Sequence, residues 1–298
     1  MEDSSTIASI AEKVAAGQCI LFLGAGVHAP PPADTGYSYP EAERPPMGSD
    51  LSLHLAQMSG FQKRYPKGSG TNLQRVAFDF ELKEGNGRKA LIDEIERQVD
   101  VGKKPSPIIR ALAELKFPLV ITTNFDQFFE RALIRVDKSP FVSFYRKNPF
   151  MVTEAPGTFS AQQPFLYKIH GDIKHAESVV VTDEDYIDFV LRMSDRDPYH
   201  PVPETFRYYF KVWPTLFLGY SLMDYNLRLL FKTLRWNVDN SKFPGTFSVD
   251  PFPDPALVKV YSQQQSYVTF IIQDVWKFVP DLYQRVTGRE MPGKETPQ

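Results

Sequence analysis

The sequence has a single cysteine, no long hydrophobic run and almost no net charge. Cys19 is the single cysteine among its 298 residues, which excludes an internal disulfide and a Cys-x-x-Cys zinc site. The apolar runs are only a few residues long, whereas a membrane helix needs roughly 20. The net charge of −2 argues against nucleic-acid binding through bulk positive charge. The first residues lack the basic and apolar regions of a signal peptide, so we expect a soluble cytoplasmic protein.

Short apolar runs alternate with amphipathic segments along most of the chain. Continuous apolar runs are typical of strands buried on both faces, and apolar residues three and four apart are typical of helices. Their alternation predicts an α/β protein with a Rossmann-like, doubly wound parallel sheet. The predicted strands cover 19–23, 117–124, 164–171, 178–182 and 214–220, with 256–262 and 267–273 predicted as strand or mixed; the predicted helices cover 5–16, 51–58, 71–83, 88–99, 107–115, 125–133, 183–193 and 221–236.

The domain organisation predicted from this pattern is simple. We expect one domain over residues 1–298, with a helical insertion around 50–105 and a flexible tail around 287–298. Residues 29–50 form a proline-rich loop that carries Tyr37 and Tyr39. Long loops without secondary structure are often lids, so the two tyrosines could pack over a ligand. The alternative is a passive surface loop or an oligomer contact.

A glycine turn follows the first predicted strand. Glycines in Gly24-Ala25-Gly26 would let the backbone approach a pyrophosphate, whose charge the amide groups would then bind. The G-x-G-x-x-G pattern is incomplete because Ala29 stands at its third position. A tight strand-to-loop turn is the alternative.

Two further strand ends carry polar side chains suited to chemistry. Asn124 and Asp126 follow Thr123 at the end of one strand, where they could bind ribose hydroxyls or water, or simply cap a helix. His170 ends another strand in the sequence KIHGD, and Gly171 leaves its imidazole accessible. A neutral histidine can act as a base near pH 7, although a structural histidine is the alternative.

A fourth strand end carries Gly219-Tyr220-Ser221, followed by Asp224 and Asn226. A helix N-cap at Ser221 or Asp224 is the alternative there. The sequence contains neither G-x-S-x-G nor G-x-x-x-x-G-K-[ST], the motifs of serine hydrolases and P-loop NTPases. Its remaining histidines have no partner at ligand spacing, so no metal site is predicted.

Taken in order, ILFLGAGV, VITTNFD, YKIHGD and FLGYSLMDYN resemble the sirtuin-like NAD-binding family. The similarity covers about residues 17–236 and is greatest to the bacterial branch found in NAD-depleting anti-phage defence proteins. It implies a Rossmann-like sheet with a smaller inserted module. Carried over residue by residue, it implies NAD contacts for Gly24, Ala25, Gly26, Thr123, Gly219, Ser221, Asp224 and Asn226, and catalytic roles for His170, Asn124 and Asp126.

The chain departs from deacylating sirtuins in two places. One cysteine cannot supply their four-cysteine zinc module, and His28 with the proline-rich segment replaces the small residue and the S-G-I-P-D-F-R-like stretch. The resemblance therefore implies an NAD⁺ glycohydrolase without zinc, which uses NAD⁺ as substrate and acts as a triggered NAD-depleting effector in anti-phage defence. A non-catalytic NAD or ADP-ribose sensor, a deacylase and an ADP-ribosyltransferase are the alternatives.

The resemblance also bears on assembly. Related defence proteins work with other components, so we expect a homo-oligomer, a separate sensor or ATPase partner, or both. We expect neither membrane association nor direct nucleic-acid binding.

Overall fold

Among the residues that the structure describes, seven parallel strands form one central sheet. The computed structural model describes residues 2–148, 150–220, 244–263 and 268–294. The strands lie in the order β3-β4-β2-β1-β5-β6-β7. Their bounds are β1 Ile20–Leu23, β2 Leu119–Thr122, β3 Phe141–Phe144, β4 Phe165–Lys168, β5 Thr215–Leu218, β6 Thr246–Val249 and β7 Val268–Ile271.

Helices connect these strands, as the predicted α/β class requires. The described residues contain eleven α-helices: α1 Glu2–Ala15, α2 Gly48–Ser59, α3 Phe61–Arg64, α4 Leu73–Leu82, α5 Gly87–Val99, α6 Pro107–Glu114, α7 Phe128–Arg135, α8 Asp183–Arg192, α9 Glu204–Tyr209, α10 Pro255–Gln263 and α11 Val275–Thr287. The Rossmann-like, doubly wound prediction is confirmed.

Alternation along each strand divides the core into two layers. Leu21 and Leu23 of β1 face a cluster that includes α1, α6, α7 and α11, whereas Ile20 and Phe22 face a cluster with α8 and α9. A third cluster joins α2, α4 and α5 to Ile173, Val179 and Val181. Helices α2 to α5, which belong to the connection from β1 to β2 in the sequence, therefore pack on one another beside the sheet.

Two of the strands were not predicted, and one predicted strand is absent. Strands β3 and β6 lie between proline-containing loops and are not fully buried along their length, which obscures their pattern. The apolar run at 178–182 pairs with no strand; Ser178 ends a short 3₁₀ helix and the valines fill two hydrophobic clusters. The segment predicted as strand or mixed at 256–262 belongs to helix α10.

The two tyrosines of the proline-rich loop pack against helix α11. Tyr39 is buried against Trp276 and donates a hydrogen bond from its hydroxyl to the carbonyl oxygen of Lys104, at 2.7 Å. Tyr37 packs on the same tryptophan and bridges to Lys294. Both rings are part of the packing against α11, which favours the alternative of a structural role for the two tyrosines.

The chain order places a topological switch point at the centre of the sheet. It runs from β1 to β2, β3 and β4 on one side, and then returns to β5 on the other side of β1. In open α/β sheets, ligands bind at the carboxyl ends of the strands at such a point. No helix among the described residues is long and apolar enough to cross a membrane.

Candidate active site

A cavity of about 560 Å³ opens at the carboxyl ends of the strands. Its size lies within the usual range of small-molecule sites, roughly 300–1,000 Å³. It is lined by residues that follow β1, β2, β4, β5, β6 and β7, so it extends across the switch point. The sequence-predicted residues that line it are Ala25, Gly26, Thr123, Asn124, Asp126, His170 and Gly219.

Four of the predicted residues are placed differently or cannot be described. Gly24 does not line the cavity, but its carbonyl oxygen accepts a hydrogen bond from the side-chain amide of Asn124, which does, at 3.3 Å. Ser221, Asp224 and Asn226 lie outside the described residues. Their predicted contacts with NAD remain predictions.

The two glycine turns pack tightly against each other at the switch point. A Cβ at Gly24 would lie 2.5 Å from the carbonyl oxygen of Gly219, and a Cβ at Gly219 would lie 2.3 Å from the amide nitrogen of Val27. The amides of Gly24 and Gly26 donate to the carbonyl oxygens of Leu218 and Gly219, at 3.0 and 2.8 Å. Glycine is required here for the close approach of two backbones, and these two amides are already occupied within the protein.

Strand register brings Asn124 and His170 to neighbouring positions. Thr122 of β2 is paired with Lys168 of β4, and each predicted residue lies two positions beyond its member of that pair. His170 is 5% exposed. Its Nδ1 atom lies 3.5 Å from the hydroxyl of Tyr186, which also lines the cavity.

His28, for which the sequence pattern predicts no role, lies beside two predicted catalytic residues. It is 3% exposed, and its Nε2 atom is 3.4 Å from Oδ2 of Asp126 and 3.5 Å from Nδ2 of Asn124. The ring packs edge-on against Phe128. The position of His28 shortly after the glycine turn indicates a site residue. Its partners cannot be inferred from the pattern because they lie about 100 residues away in the sequence.

Asp126 is held in a fixed orientation by both of its carboxylate oxygens. Oδ1 accepts a hydrogen bond from the backbone amide of Phe128 at 2.9 Å, and Oδ2 faces His28. Burial alone would raise the pKa of Asp126, but His28 and then Lys168 outweigh burial and hold the pKa below its ordinary value. A negative charge is therefore fixed beside the cavity.

Lys168 joins the two loops that carry the predicted catalytic residues. Its buried ammonium donates to the carbonyl oxygens of Phe125 and Asp126, at 3.1 and 2.6 Å. It also contacts the carboxylates of Glu130 and Asp172, each at 2.8 Å. Burial alone would lower the pKa of Lys168, but the surrounding carboxylates raise it above its ordinary value.

This ammonium fixes the loop after β2 relative to the turn after β4. A buried charge is tolerated when it is paired and its hydrogen bonds are satisfied. Lys168 lies in the predicted KIHGD motif, but its partners are distant in the sequence, so only the structure identifies its position in the network.

The described residues contain no group of His, Cys, Asp or Glu side chains arranged to hold a metal ion. The expectation of a zinc-free protein remains a prediction. No lysine or arginine among the described residues lines the cavity; three aspartates do, Asp126, Asp250 and Asp274.

Comparison with curated proteins places these features in a family context. The chain is 26% identical over 250 residues to an NAD(+) hydrolase ThsA from Enterococcus faecium, covering 82% of this chain and 45% of that protein. It is 25% identical over 248 residues to an NAD(+) hydrolase ThsA from Acinetobacter baumannii (strain 532279), covering 81% and 44%. It is 24% identical over 255 residues to defense-associated sirtuin 2 from Bacillus subtilis, covering 84% and 22%.

The chain thus spans less than half the length of these three relatives. The family model described as the SIR2-like domain matches residues 118–271, which include β2 to β7 and the Asn124 and His170 strand ends. This match covers just over half of the sequence and confirms the resemblance found in its motifs. The chain belongs to the SIR2-like family.

Proposed function

We propose that the chain is an NAD⁺ glycohydrolase, which hydrolyses NAD⁺ with one molecule of water to ADP-ribose, nicotinamide and a proton. The observation that carries the proposal is the convergence of Asn124 and His170 on one cavity at the switch point of the sheet. The relatives named NAD(+) hydrolase support the same chemistry, at low identity.

The bond to be broken joins ribose to a cationic pyridinium, so nicotinamide leaves as a neutral molecule. No general acid is needed for its departure. The enzyme must hold the ribose, stabilise positive charge that develops on it, and deliver water to the anomeric carbon.

Asn124 is suited to positioning. Its amide nitrogen is held by the carbonyl oxygen of Gly24 and lies near Nε2 of His28, which fixes the plane of the amide. In the proposed mechanism, Asn124 orients a ribose hydroxyl or the attacking water. Correct orientation of reacting groups contributes a large part of many enzymatic rate enhancements.

Asp126 is suited to electrostatic stabilisation rather than to direct contact with water. Both of its oxygens already have partners, and its lowered pKa keeps it ionised. A fixed carboxylate near a developing oxocarbenium ion lowers the energy of the transition state. His28 maintains this charge in position.

His170 is suited to accept the proton released when water adds to the ribose. A positioned base contributes roughly 10²–10⁴-fold to the rate.

The proposal extends to a triggered, NAD-depleting role in anti-phage defence. NAD⁺ hydrolysis that is always active would deplete the cell's own NAD⁺, so we propose that assembly into a homo-oligomer, or a separate sensor or ATPase, controls the activity.

The test is incubation of the purified chain with NAD⁺ alone, with nicotinamide and ADP-ribose quantified by chromatography. Equal amounts of both products support hydrolysis. Binding without release would instead support a sensor, and release only with an acylated peptide would support a deacylase. ADP-ribose attached to protein would support a transferase.

A matched pair of asparagine variants connects this activity to the site. Asn124→Ala should lower nicotinamide release by about 100-fold or more, because the ribose or water loses its orientation. Asn86→Ala is the control, since the Asn86 amide also donates to a backbone carbonyl, that of Phe80, but lies outside the cavity. Equal activity in the two variants would remove Asn124 from the site.

A further inference from the structure

A second, smaller cavity lies beside the first and has no role in the proposed mechanism. Its volume is about 350 Å³, which is within the range of small-molecule sites. Most of its wall comes from the proline-rich segment, and the rest from His28, Gln98 and Lys103. His28 lines both cavities, so its side chain lies between them.

The chain just before Arg44 is anchored to the residues that follow α5. The amide of Lys104 donates to the carbonyl oxygen of Glu43 at 2.9 Å, and the ammonium of Lys104 pairs with the Glu43 carboxylate. The ammonium of Lys103 donates to the carbonyl oxygen of Ala42 at 3.2 Å. These contacts hold the backbone that leads into Arg44 without using its guanidinium.

The guanidinium of Arg44 has no partner within the parts of the chain that the structure describes. Arg44 lines the second cavity and is half-buried, and its Nε atom is buried without a hydrogen bond. Among the described residues, no carboxylate pairs with it and no oxygen accepts from it. Since buried donors without an acceptor are costly and rare in native proteins, this arginine is placed to bind an acceptor from outside the chain.

A second nitrogen without a partner belongs to the wall of the same cavity. His28 is 3% exposed, and its Nε2 atom lies 3.4 Å from Asp126 and 3.5 Å from Asn124, which line only the first cavity. Its Nδ1 atom is buried and has no hydrogen-bond partner among the described residues. One nitrogen of the ring thus serves the first cavity, and the other is left for a ligand in the second.

The charges around the second cavity favour an anion. Its two half-buried charged side chains, Arg44 and Lys103, are positive, whereas its carboxylates, Glu41 and Asp50, are exposed to water. Water screens an exposed charge more effectively than a half-buried one. Because no described lysine or arginine lines the first cavity, a small anion is expected to prefer the second.

We propose that the second cavity binds a small phosphomonoester, whose phosphate oxygens accept hydrogen bonds from the guanidinium of Arg44 and from Nδ1 of His28. The planar fork of donors in arginine matches the oxygens of a phosphate. Pro45, Pro46 and Met47 offer an apolar wall to the carbon body of the ester. The inference does not depend on the proposed function, because binding at this cavity requires no NAD⁺.

A bound phosphate would place His28 between two negative groups. Asp126 accepts from Nε2 and the phosphate accepts from Nδ1, so both ring nitrogens donate, as they do in the imidazolium form. Negative charge on both sides stabilises this cationic form. The protonation of Nδ1 therefore reports whether the second cavity is occupied.

The first test is calorimetric titration of glycerol 3-phosphate into the full chain, without NAD⁺. We expect one molecule to bind per chain, and glycerol, which lacks the phosphate, not to bind. Arg44→Gln should weaken binding about tenfold or more, because the phosphate loses its charged donors. Arg135→Gln is the matched control, since Arg135 is exposed, lines neither cavity and has no ion pair among the described residues.

Urea denaturation checks that the Arg44 variant is folded. Arg44→Gln removes a side chain that has no partner in the described structure, so its midpoint should match that of wild type in the absence of ligand. Arg44→Lys is a second variant, which keeps the positive charge but not the fork of donors. Its affinity should lie between those of wild type and Arg44→Gln, and it replaces Arg44→Gln in the comparison if that variant does not fold.

The second test is ¹⁵N NMR of the histidine-labelled chain, in which the signals of His28 are assigned by their loss in His28→Gln. Glycerol 3-phosphate should shift the Nδ1 signal of His28 to that of a protonated nitrogen, in wild type and in Arg135→Gln. No binding by wild type, equal affinity in Arg44→Gln and Arg135→Gln, or an unchanged Nδ1 signal in the bound chain would each overturn the inference. The expected binding by a chain that does not cleave NAD⁺ would support the inference and count against hydrolysis.

Discussion

The two ends of the cavity are built in different ways. At the β2–β4 end, His170 and Asp126 are buried, and the loops that carry them are joined through the ammonium of Lys168. At the β6–β7 end, Asp250 and Asp274 are half-buried and are oriented only by local turns. In the proposed mechanism, the rigid first end holds the reacting atoms in fixed positions, and the second end contacts the remainder of the ligand.

The largest expected effect tests the buried network at the β2–β4 end. Lys168→Met would leave the carboxylates of Glu130 and Asp172 buried without their counter-charge. Removal of one partner from such a cluster typically costs about 3–5 kcal/mol of unfolding free energy. Urea denaturation of the purified variant measures this loss.

Lys89→Met is the control for this variant, because Lys89 forms an exposed ion pair with Asp93. Pairs of this kind contribute about 1 kcal/mol or less. Equal losses in the two lysine variants would show that Lys168 does not hold the β2–β4 end together.

The next effect concerns the boundary between the two ends. Gly219 has a φ of +67°, and a Cβ there would lie 2.3 Å from a backbone nitrogen. Gly219→Ala should lower the free energy of unfolding by about 3 kcal/mol, through left-handed strain and overpacking together, and should weaken ADP-ribose binding. Denaturation and calorimetric titration measure the two effects.

Gly288 is the control that separates the cost of backbone strain from the cost of overpacking. Its φ is +71°, but a Cβ there would meet nothing within 4 Å. Gly288→Ala should cost only about 1 kcal/mol and leave ligand binding unchanged. If both alanine variants bind ADP-ribose normally, the contact between the glycine turns does not shape the cavity.

The smallest expected effect is the pH dependence of the stability that ionised Asp126 contributes to the fold. Because its folded-state pKa lies below the ordinary value of 3.8, ionised Asp126 stabilises the fold above that pH. This stabilisation is lost as the pH falls through the lowered pKa. Asp126→Asn should therefore cost about 1–3 kcal/mol at pH 7 and progressively less below pH 3.8.

Urea denaturation of wild type and Asp126→Asn at pH 7, 5 and 3 would follow this difference. Asp93→Asn, which changes an exposed carboxylate, is the control. A difference between wild type and Asp126→Asn that does not shrink with acidification would contradict the assigned role of the Asp126 charge.

The apolar pattern of the sequence predicted those strands of the sheet that are buried on both faces. The strands at Ile20–Leu23, Leu119–Thr122, Phe165–Lys168 and Thr215–Leu218 are largely apolar, and all are fully buried. Strand β3 at the sheet edge is only partly buried, so its residues carry a weaker signal. The valines after Ser178 resemble a strand because they are buried, although they fill hydrophobic clusters instead of pairing.

The candidate site was predictable only where its residues follow a recognisable strand. Asn124, Asp126 and His170 belong to such motifs, and all three line the cavity. His28, Lys168 and Asp274 were missed because their importance depends on contacts between distant parts of the chain or on a strand of uncertain type. Asp250 follows β6, which itself was not predicted.

The role of His170 is tested most directly by the rate of nicotinamide release from NAD⁺ by wild type, His170→Ala and the control His175→Ala. His175 stacks on Phe144 and does not line the cavity. We expect His170→Ala to release nicotinamide about 10²–10⁴-fold more slowly while binding ADP-ribose like wild type, and His175→Ala to keep the wild-type rate. Wild-type release by His170→Ala would contradict the assignment of the chemistry to the β2–β4 end.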